Sequence, residues 1–144
     1  MNVLLSIKPK FVDKIISREK KYEFRKTEFK NGDGLNRVYI YSTSPIKKII
    51  GSFKVGRVIS GTPEYIWEQC QDFAGISRTD FFEYFKNNDK AVAISIEDLD
   101  IFKSPIDPFV EFDNFKAPQS FYYIKENSWN FPSGKNSIKL SRFS

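Results

Sequence analysis

The chain has 144 residues and a net charge of +5, with no histidine and the single cysteine Cys70. That composition excludes Ser-His-Asp and Cys-His nucleophilic pairs, HExxH metal sites, an internal disulfide and a cysteine zinc cluster, so any catalysis must use Lys, Glu, Asp, Tyr, Ser, Thr, Arg or a carboxylate-held metal. The charge is one-sided: residues 1–60 hold 14 Lys and Arg against 5 Asp and Glu (+9), residues 61–144 hold 9 against 13 (−4), and a basic half of this kind suits a polyanionic partner or, more plainly, a solvated face.

Val3 to Ile7 is a short apolar run that reads as a buried strand. Pro9 then stands where a first helical turn tolerates it, and Phe11, Val12, Ile15 and Ile16 repeat at helical spacing, which predicts a helix over 9–17. Lys21 to Arg25 alternates: Tyr22 and Phe24 share one face of a strand, and Lys21, Glu23 and Arg25 share the other. Asn31-Gly32-Asp33-Gly34 is a turn. Arg37 to Ser42 is a further strand, closed by the loop Ser42-Thr43-Ser44-Pro45. Ile49 to Ile59 is rich in β-formers, and Gly51 and Gly56 inside it predict bulges or sharp bends. Thr62 as N-cap and Pro63 at the first position open a helix with Ile66, Trp67 and Cys70 inward, expected to end at Gly75. Ser77 starts a second short helix, packed inward by Phe81, Phe82 and Phe85. Ala91 to Ile96 is a strand extending towards Ile101, residues 105–118 read as an irregular proline-bearing connection, and Ser120 to Ile124 is a last strand. Beyond it, Trp129, Phe131 and Leu140 are expected to tack the C-terminal stretch onto the body.

The order is strand, helix, three strands, two helices, then strands, which predicts an α+β fold of mostly antiparallel strands curled into a small barrel. The absence of helices between the strands at 21–59 argues against a doubly wound sheet. One domain over residues 1–144 is expected, since no repeat, linker or low-complexity tract divides it. No stretch approaches the roughly 18 apolar residues of a membrane span and no leader-length apolar run opens the chain, so a cytoplasmic protein without membrane contact is expected. No cofactor and no metal are expected.

The best site candidate is the polar face of the strand at 21–25. Glu23 and Arg25, two apart, either form an ion pair on a solvated sheet or read a base, the carboxylate accepting from amino groups and the guanidinium offering paired donors to carbonyls or phosphate. Lys8, at a strand end before a helix, is a candidate phosphate contact. Tyr39 and Tyr41 share a side and either pack in the sheet or stack on a base. Ser42, Thr43 and Ser44 offer hydroxyls and backbone N–H groups at a strand end, and Gln119 and Ser120 after Pro118 could reach a base edge or satisfy a loop.

Ser6-Ile7-Lys8-Pro9 followed by Glu19-Lys20-Lys21-Tyr22-Glu23-Phe24-Arg25 resembles the opening of ASCH (activating signal cointegrator homology) domains. Tyr39 to Pro45 and Pro118 to Phe121 are similar to a subgroup labelled as predicted transcriptional regulators, and the resemblance covers about residues 3–123, with 124–144 as an extension. It implies a PUA-like barrel with a cleft between the barrel and the first helix, in a superfamily associated with RNA and modified bases. Some short members are described as amidohydrolases of acetylated cytidine and others as ribonucleases. Of the Lys, Thr and distant Glu proposed for the hydrolases, the Lys matches Lys20, and Glu23 stands at the Thr position, which removes the proposed nucleophile.

Three functions are open at this level. The first is a binding module for RNA or a modified nucleotide, with a regulatory use. The second is a small nucleoside amidohydrolase or ribonuclease with Lys20 and Glu23 as acid and base. The third is a protein-interaction domain using the acidic, aromatic-rich second half.

Overall fold

A computed structural model describes residues 1–30, 35–125 and, for the backbone alone, 137–139. The first strand, β1 (Asn2–Ile7), runs into α1 (Pro9–Ile16), which Pro9 opens without a capping side chain. Three strands follow: β2 (Tyr22–Arg25), β3 (Val38–Ser42) and the long β4 (Lys48–Gly61). Two short helices come next. The Thr62 hydroxyl accepts from the Tyr65 N–H at the start of α2 (Pro63–Cys70), and the Ser77 hydroxyl accepts from the Asp80 N–H at the start of α3 (Arg78–Tyr84). The chain then returns through β5 (Ala91–Ile106), α4 (Pro108–Glu111), β6 (Phe121–Ile124) and β7 (Ser137–Lys139).

These strands form one mixed sheet in the order β2-β5-β4-β3-β1-β6, with β7 beside the far part of β5. Only the β1–β3 pair is parallel among the described pairings. The sheet curls into a half-barrel, as the α+β barrel expectation required. The curl has local causes. Against β3, the register of β4 skips Ile50, and against β5 it shifts at three places, one of them between Val55 and Val58. Each shift places one or more extra residues on one strand and bends it. At Gly51 the strands approach so closely that a Cβ would run into the Asp100 carbonyl oxygen.

Curling brings the ends of the sheet together. Arg25 of β2 lies over Phe121 of β6, 4.5 Å from the ring centroid. The barrel is therefore open along a seam between β2 and β6, and α1 and α3 flank that seam. Three packed clusters hold the body. Val3, Leu5, Ile7, Val12, Ile15, Ile40, Phe53 and Ile94 fill the inside of the curl. Phe24, Ile66, Cys70, Phe81 and Phe85 seat the helices on β2 and β5, and Leu4, Tyr41, Ile49, Phe102 and Ile124 pack on the other face.

Three expectations are corrected. The segment 105–118 is not wholly irregular: β5 continues to Ile106, and Asp107 caps the short α4, because Pro108 falls at its first position. The helix from Pro63 stops at Cys70 and passes through a 3-10 turn, Gln71–Phe73, before Gly75 at φ 63° reverses the chain. The strand read from Arg37 begins at Val38. Trp129, Phe131 and Leu140 lie outside the described residues. No described helix is long and apolar enough to cross a membrane.

Candidate functional site

A cavity of about 400 Å³ opens at the seam, within the size range of small-ligand sites. Its walls come from five separate stretches: Leu5 to Lys8 and Phe11; Lys20 and Glu23 to Arg25; Thr43; Ile76 and Tyr84; and Gln119 with Ser120. The residues singled out as Lys8, Lys20, Glu23, Arg25, Thr43, Gln119 and Ser120 thus converge on one hollow. Tyr41, Ser42 and Ser44 do not line it. Tyr41 and Ser42 are buried at 3% and 2% exposure, Tyr41 among Leu4, Ile49 and Phe102 and 5.8 Å from the Phe115 ring, and Ser44 is exposed in the loop beyond. Tyr41 points into the packed cluster on the far face of the sheet, and only Thr43, where the chain leaves β3, reaches the cavity rim.

Lys20 is held from several sides. Its N–H donates to the Lys14 carbonyl and its ammonium donates to the Ala74 carbonyl at 2.9 Å. The same ammonium lies 4.6 Å from the Phe24 ring and 5.4 Å from the Phe11 ring. The side chain is 4% exposed. Burial pulls its pKa down to about 8, Glu23 resists that fall, and Lys14 adds to it. Glu23 is shifted the other way: burial raises its carboxyl above the usual range, against the opposing pull of Lys20 and Arg25. The two groups influence each other without a direct ion pair between them. An amine lowered and a carboxyl raised at one cavity is a pattern that general acid–base pairs share with buried structural charge clusters.

Arg25 is the third polar element. Its guanidinium is clasped between Phe29, at 4.8 Å, and Phe121, at 4.5 Å. One nitrogen donates to the Ser120 hydroxyl at 3.4 Å, and Nε is buried with no partner. A buried cation without a carboxylate partner is costly, and two aromatic faces offset only part of that. Glu23 is near enough for the two charges to interact, and the guanidinium is of the kind that takes an anion or a carbonyl pair at a cavity wall. Ser120 is fixed in turn: its carbonyl accepts from the Ser6 N–H at 2.9 Å, while the Ser6 hydroxyl donates to the Pro118 carbonyl at 2.7 Å. Thr43 is tied to β1 by its N–H, which donates to the Ile7 carbonyl. Lys8 and Gln119 are exposed at the rim.

Phe11, Ile76 and Tyr84 line the cavity and were not among the sequence candidates. Phe11 reads as helix packing and Ile76 as loop. Tyr84 comes three residues after the inward Phe81, so helical spacing sets it beside the buried stripe and at its edge, the one available hint. Among the described residues, no three of Cys, Asp and Glu cluster as metal ligands.

Gly75 shows how tightly Lys20 is framed. A Cβ there would strike the Lys20 side chain and backbone, and the φ of 63° already disfavours an L residue. Gly75→Ala is expected to cost about 2 kcal/mol or more and to displace the Lys20 ammonium from the Ala74 carbonyl. Thermal unfolding reads the first, and the alkaline titration of Lys20 followed by NMR reads the second.

No family model matches the chain. An ASCH domain-containing ribonuclease of Zymomonas mobilis is 28% identical over 130 residues, which cover 85% of this chain and 84% of that protein. The large ribosomal subunit protein uL22 of Ureaplasma parvum is 33% identical over 89 residues, and the chain spans only 28% of its length. Among solved structures, the crystal structure of ASCH from Zymomonas mobilis superposes with a TM-score of 0.77 at 26% identity, covering 87% of this chain and 88% of that one, and a structure of a point mutant of it superposes equally well. The curled mixed sheet, the seam and these likenesses agree, and together they support an ASCH domain, with its PUA-like barrel, for this chain.

Proposed function

We propose that this chain is an RNA-binding domain whose seam cavity takes one nucleotide unit of the strand. The observation that carries the reading is Arg25: a guanidinium clasped between two aromatic rings, on a residue that lines a nucleotide-sized hollow. A phosphate or a base carbonyl supplies acceptors for it. Lys8 on the rim adds a phosphate contact, and Thr43, Gln119 and Ser120 offer hydrogen bonds to a base edge. The basic balance of residues 1–60 supports the same polyanion. The Zymomonas relative is named a ribonuclease, which favours RNA among polyanions. A cytoplasmic setting and a regulatory use of the binding belong to this proposal, the latter through the transcriptional-regulator resemblance.

Arg25→Met is expected to weaken binding of a short single-stranded RNA by roughly ten- to a hundredfold. Affinity should also fall steeply with salt, and Lys8→Ala should flatten that slope. Fluorescence anisotropy across a salt series measures both. Unchanged affinity in Arg25→Met would remove the cavity from the binding site.

A second reading adds catalysis, favoured by the opposite shifts of Lys20 and Glu23. In RNA cleavage the Glu23 carboxylate takes the proton of a ribose 2′-hydroxyl as its oxygen attacks the adjacent phosphorus. The bond to the 5′-oxygen breaks, and the Lys20 ammonium protonates that leaving oxygen. The products are a 2′,3′-cyclic phosphate and a 5′-hydroxyl. Deacetylation of an acetylated cytidine is the alternative chemistry for the same pair, and product analysis separates the two.

A further inference from the structure

Tyr84 differs from the aromatic residues around it. On the helix that carries it, Phe81 is fully buried, and Phe85 just beyond is 2% exposed, yet Tyr84 keeps 45% of its surface in solvent while lining the cavity. Its ring is held edge-on by Phe85, with centroids 4.8 Å apart at 78°. The ring thus has one packed edge and a half-exposed aromatic face at the cavity. The Lys26 ammonium rests 4.7 Å from its centroid, and Lys26 directly follows Arg25 in the chain. A half-exposed ring and an exposed cation therefore stand beside a hollow that already contains a buried guanidinium.

Resting on the RNA reading above, we infer that Tyr84 is a stacking platform for a second base, next in the strand to the one in the cavity, with Lys26 meeting the phosphate beside it. The ligand is then single-stranded RNA of at least two nucleotides. A base in the hollow has left its stack, and its neighbour loses one stacking partner. The Tyr84 ring replaces that partner without regard to base identity, since every base has a π-face. Lys26 lies over the ring without a ligand; an exposed cation–π contact is weak, and the flexible stem lets the ammonium pass from ring to phosphate when a base arrives. A continuous duplex, whose bases stack on one another, has none to offer.

The test compares a nucleoside monophosphate with a single-stranded tetranucleotide on the whole chain by calorimetry at fixed salt. The wild type should bind the tetranucleotide more tightly. Tyr84→Ala should weaken the tetranucleotide roughly tenfold more than it weakens the monophosphate, and Tyr84→Phe should behave as wild type. Tyr84→Leu keeps bulk without a π-face and should follow Tyr84→Ala, which serves if the alanine variant melts early. Equal weakening of both ligands, or loss of the tetranucleotide advantage in Tyr84→Phe, would overturn the platform while leaving the cavity reading in place. Failure of the wild type to bind either ligand would sink the cavity reading itself, and the platform with it.

Discussion

Glu23→Gln is expected to lower the rate of the proposed RNA cleavage by about 10²- to 10⁴-fold, and Lys20→Met by a similar factor, with RNA affinity changed far less than by Arg25→Met. Amide and thioether side chains keep the shapes of the cavity walls and remove only the proton transfers. The pH profile supplies the independent mark. Glu23 must be ionised to act as base, so the rate should climb as pH passes its raised pKa. Lys20 must be protonated to act as acid, so the rate should fall as pH passes about 8. A bell follows, its acid limb set above the ordinary carboxylate range and lost in Glu23→Gln. A single-turnover assay on a labelled oligonucleotide measures it, and a flat profile between pH 5 and pH 9, roughly the span between ordinary carboxylate and ordinary lysine titration, would refute the assignment.

Stability should move against activity in the same variant. Lys20 falls from 10.5 in the unfolded chain to about 8 in the folded one. Between those values the unfolded state binds more protons, so folding stability rises with pH across that window. Below about pH 8 the folded chain carries the full cost of the buried ammonium, on the order of 3 kcal/mol. Lys20→Met removes that cost and leaves the Ala74 carbonyl without its donor, a penalty of about 1–2 kcal/mol. The net expectation is a melting temperature at pH 7 raised by a few degrees, by about 2–4 °C, together with loss of the proposed cleavage.

The second large effect is structural. Phe81→Ala is expected to destabilise the chain by about 3–5 kcal/mol, lowering the melting temperature by on the order of 10 °C. Phe81 is fully buried and makes an edge contact with Phe24 at 5.1 Å and ring contacts with Trp67 at 5.0 Å and Phe85 at 4.8 Å. Phe24 is also the ring nearest the Lys20 ammonium. The void would loosen that wall, so the pKa of Lys20 should rise towards its ordinary value as water reaches it. Calorimetry and a Lys20 titration in the variant check the two effects together. An unchanged Lys20 in a strongly destabilised protein would show that the wall is rigid without its support.

Much of the site was legible because strand alternation is a strong constraint. Lys21 to Arg25 alternates cleanly, so Glu23 and Arg25 had to share a face, and both line the cavity, although Phe24 between them reaches it too and Lys21 does not. Tyr41 shows the limit of the same reasoning. Alternation tells which residues share a side but not which side faces the hollow, and that depends on the curl set by the shifts around Ile50 and Val55. Lys20 falls just before β2, where periodicity says nothing, and only the family resemblance singled it out. Tyr84 was missed because its role at the cavity comes from α3 lying beside the seam, a tertiary fact. Helix starts were readable from Thr62-Pro63 and Ser77, whose hydroxyls cap locally. The strand ending at Ile106 and the short helix from Pro108 were not, since two nearby prolines read as irregular chain when they mark a strand end and a helix start.

The cavity draws on residues from early and late in the chain: Ser6 and Lys8 from the first strand and its exit, Gln119 and Ser120 from before the sixth, joined by the hydrogen bonds between Ser6 and the stretch Pro118–Ser120. During synthesis, then, the early half leaves the ribosome with Arg25 unclasped, because the Phe121 ring has yet to be made. The clasp on that guanidinium, and with it the closed wall of the cavity, is complete only once the late segment has emerged and docked.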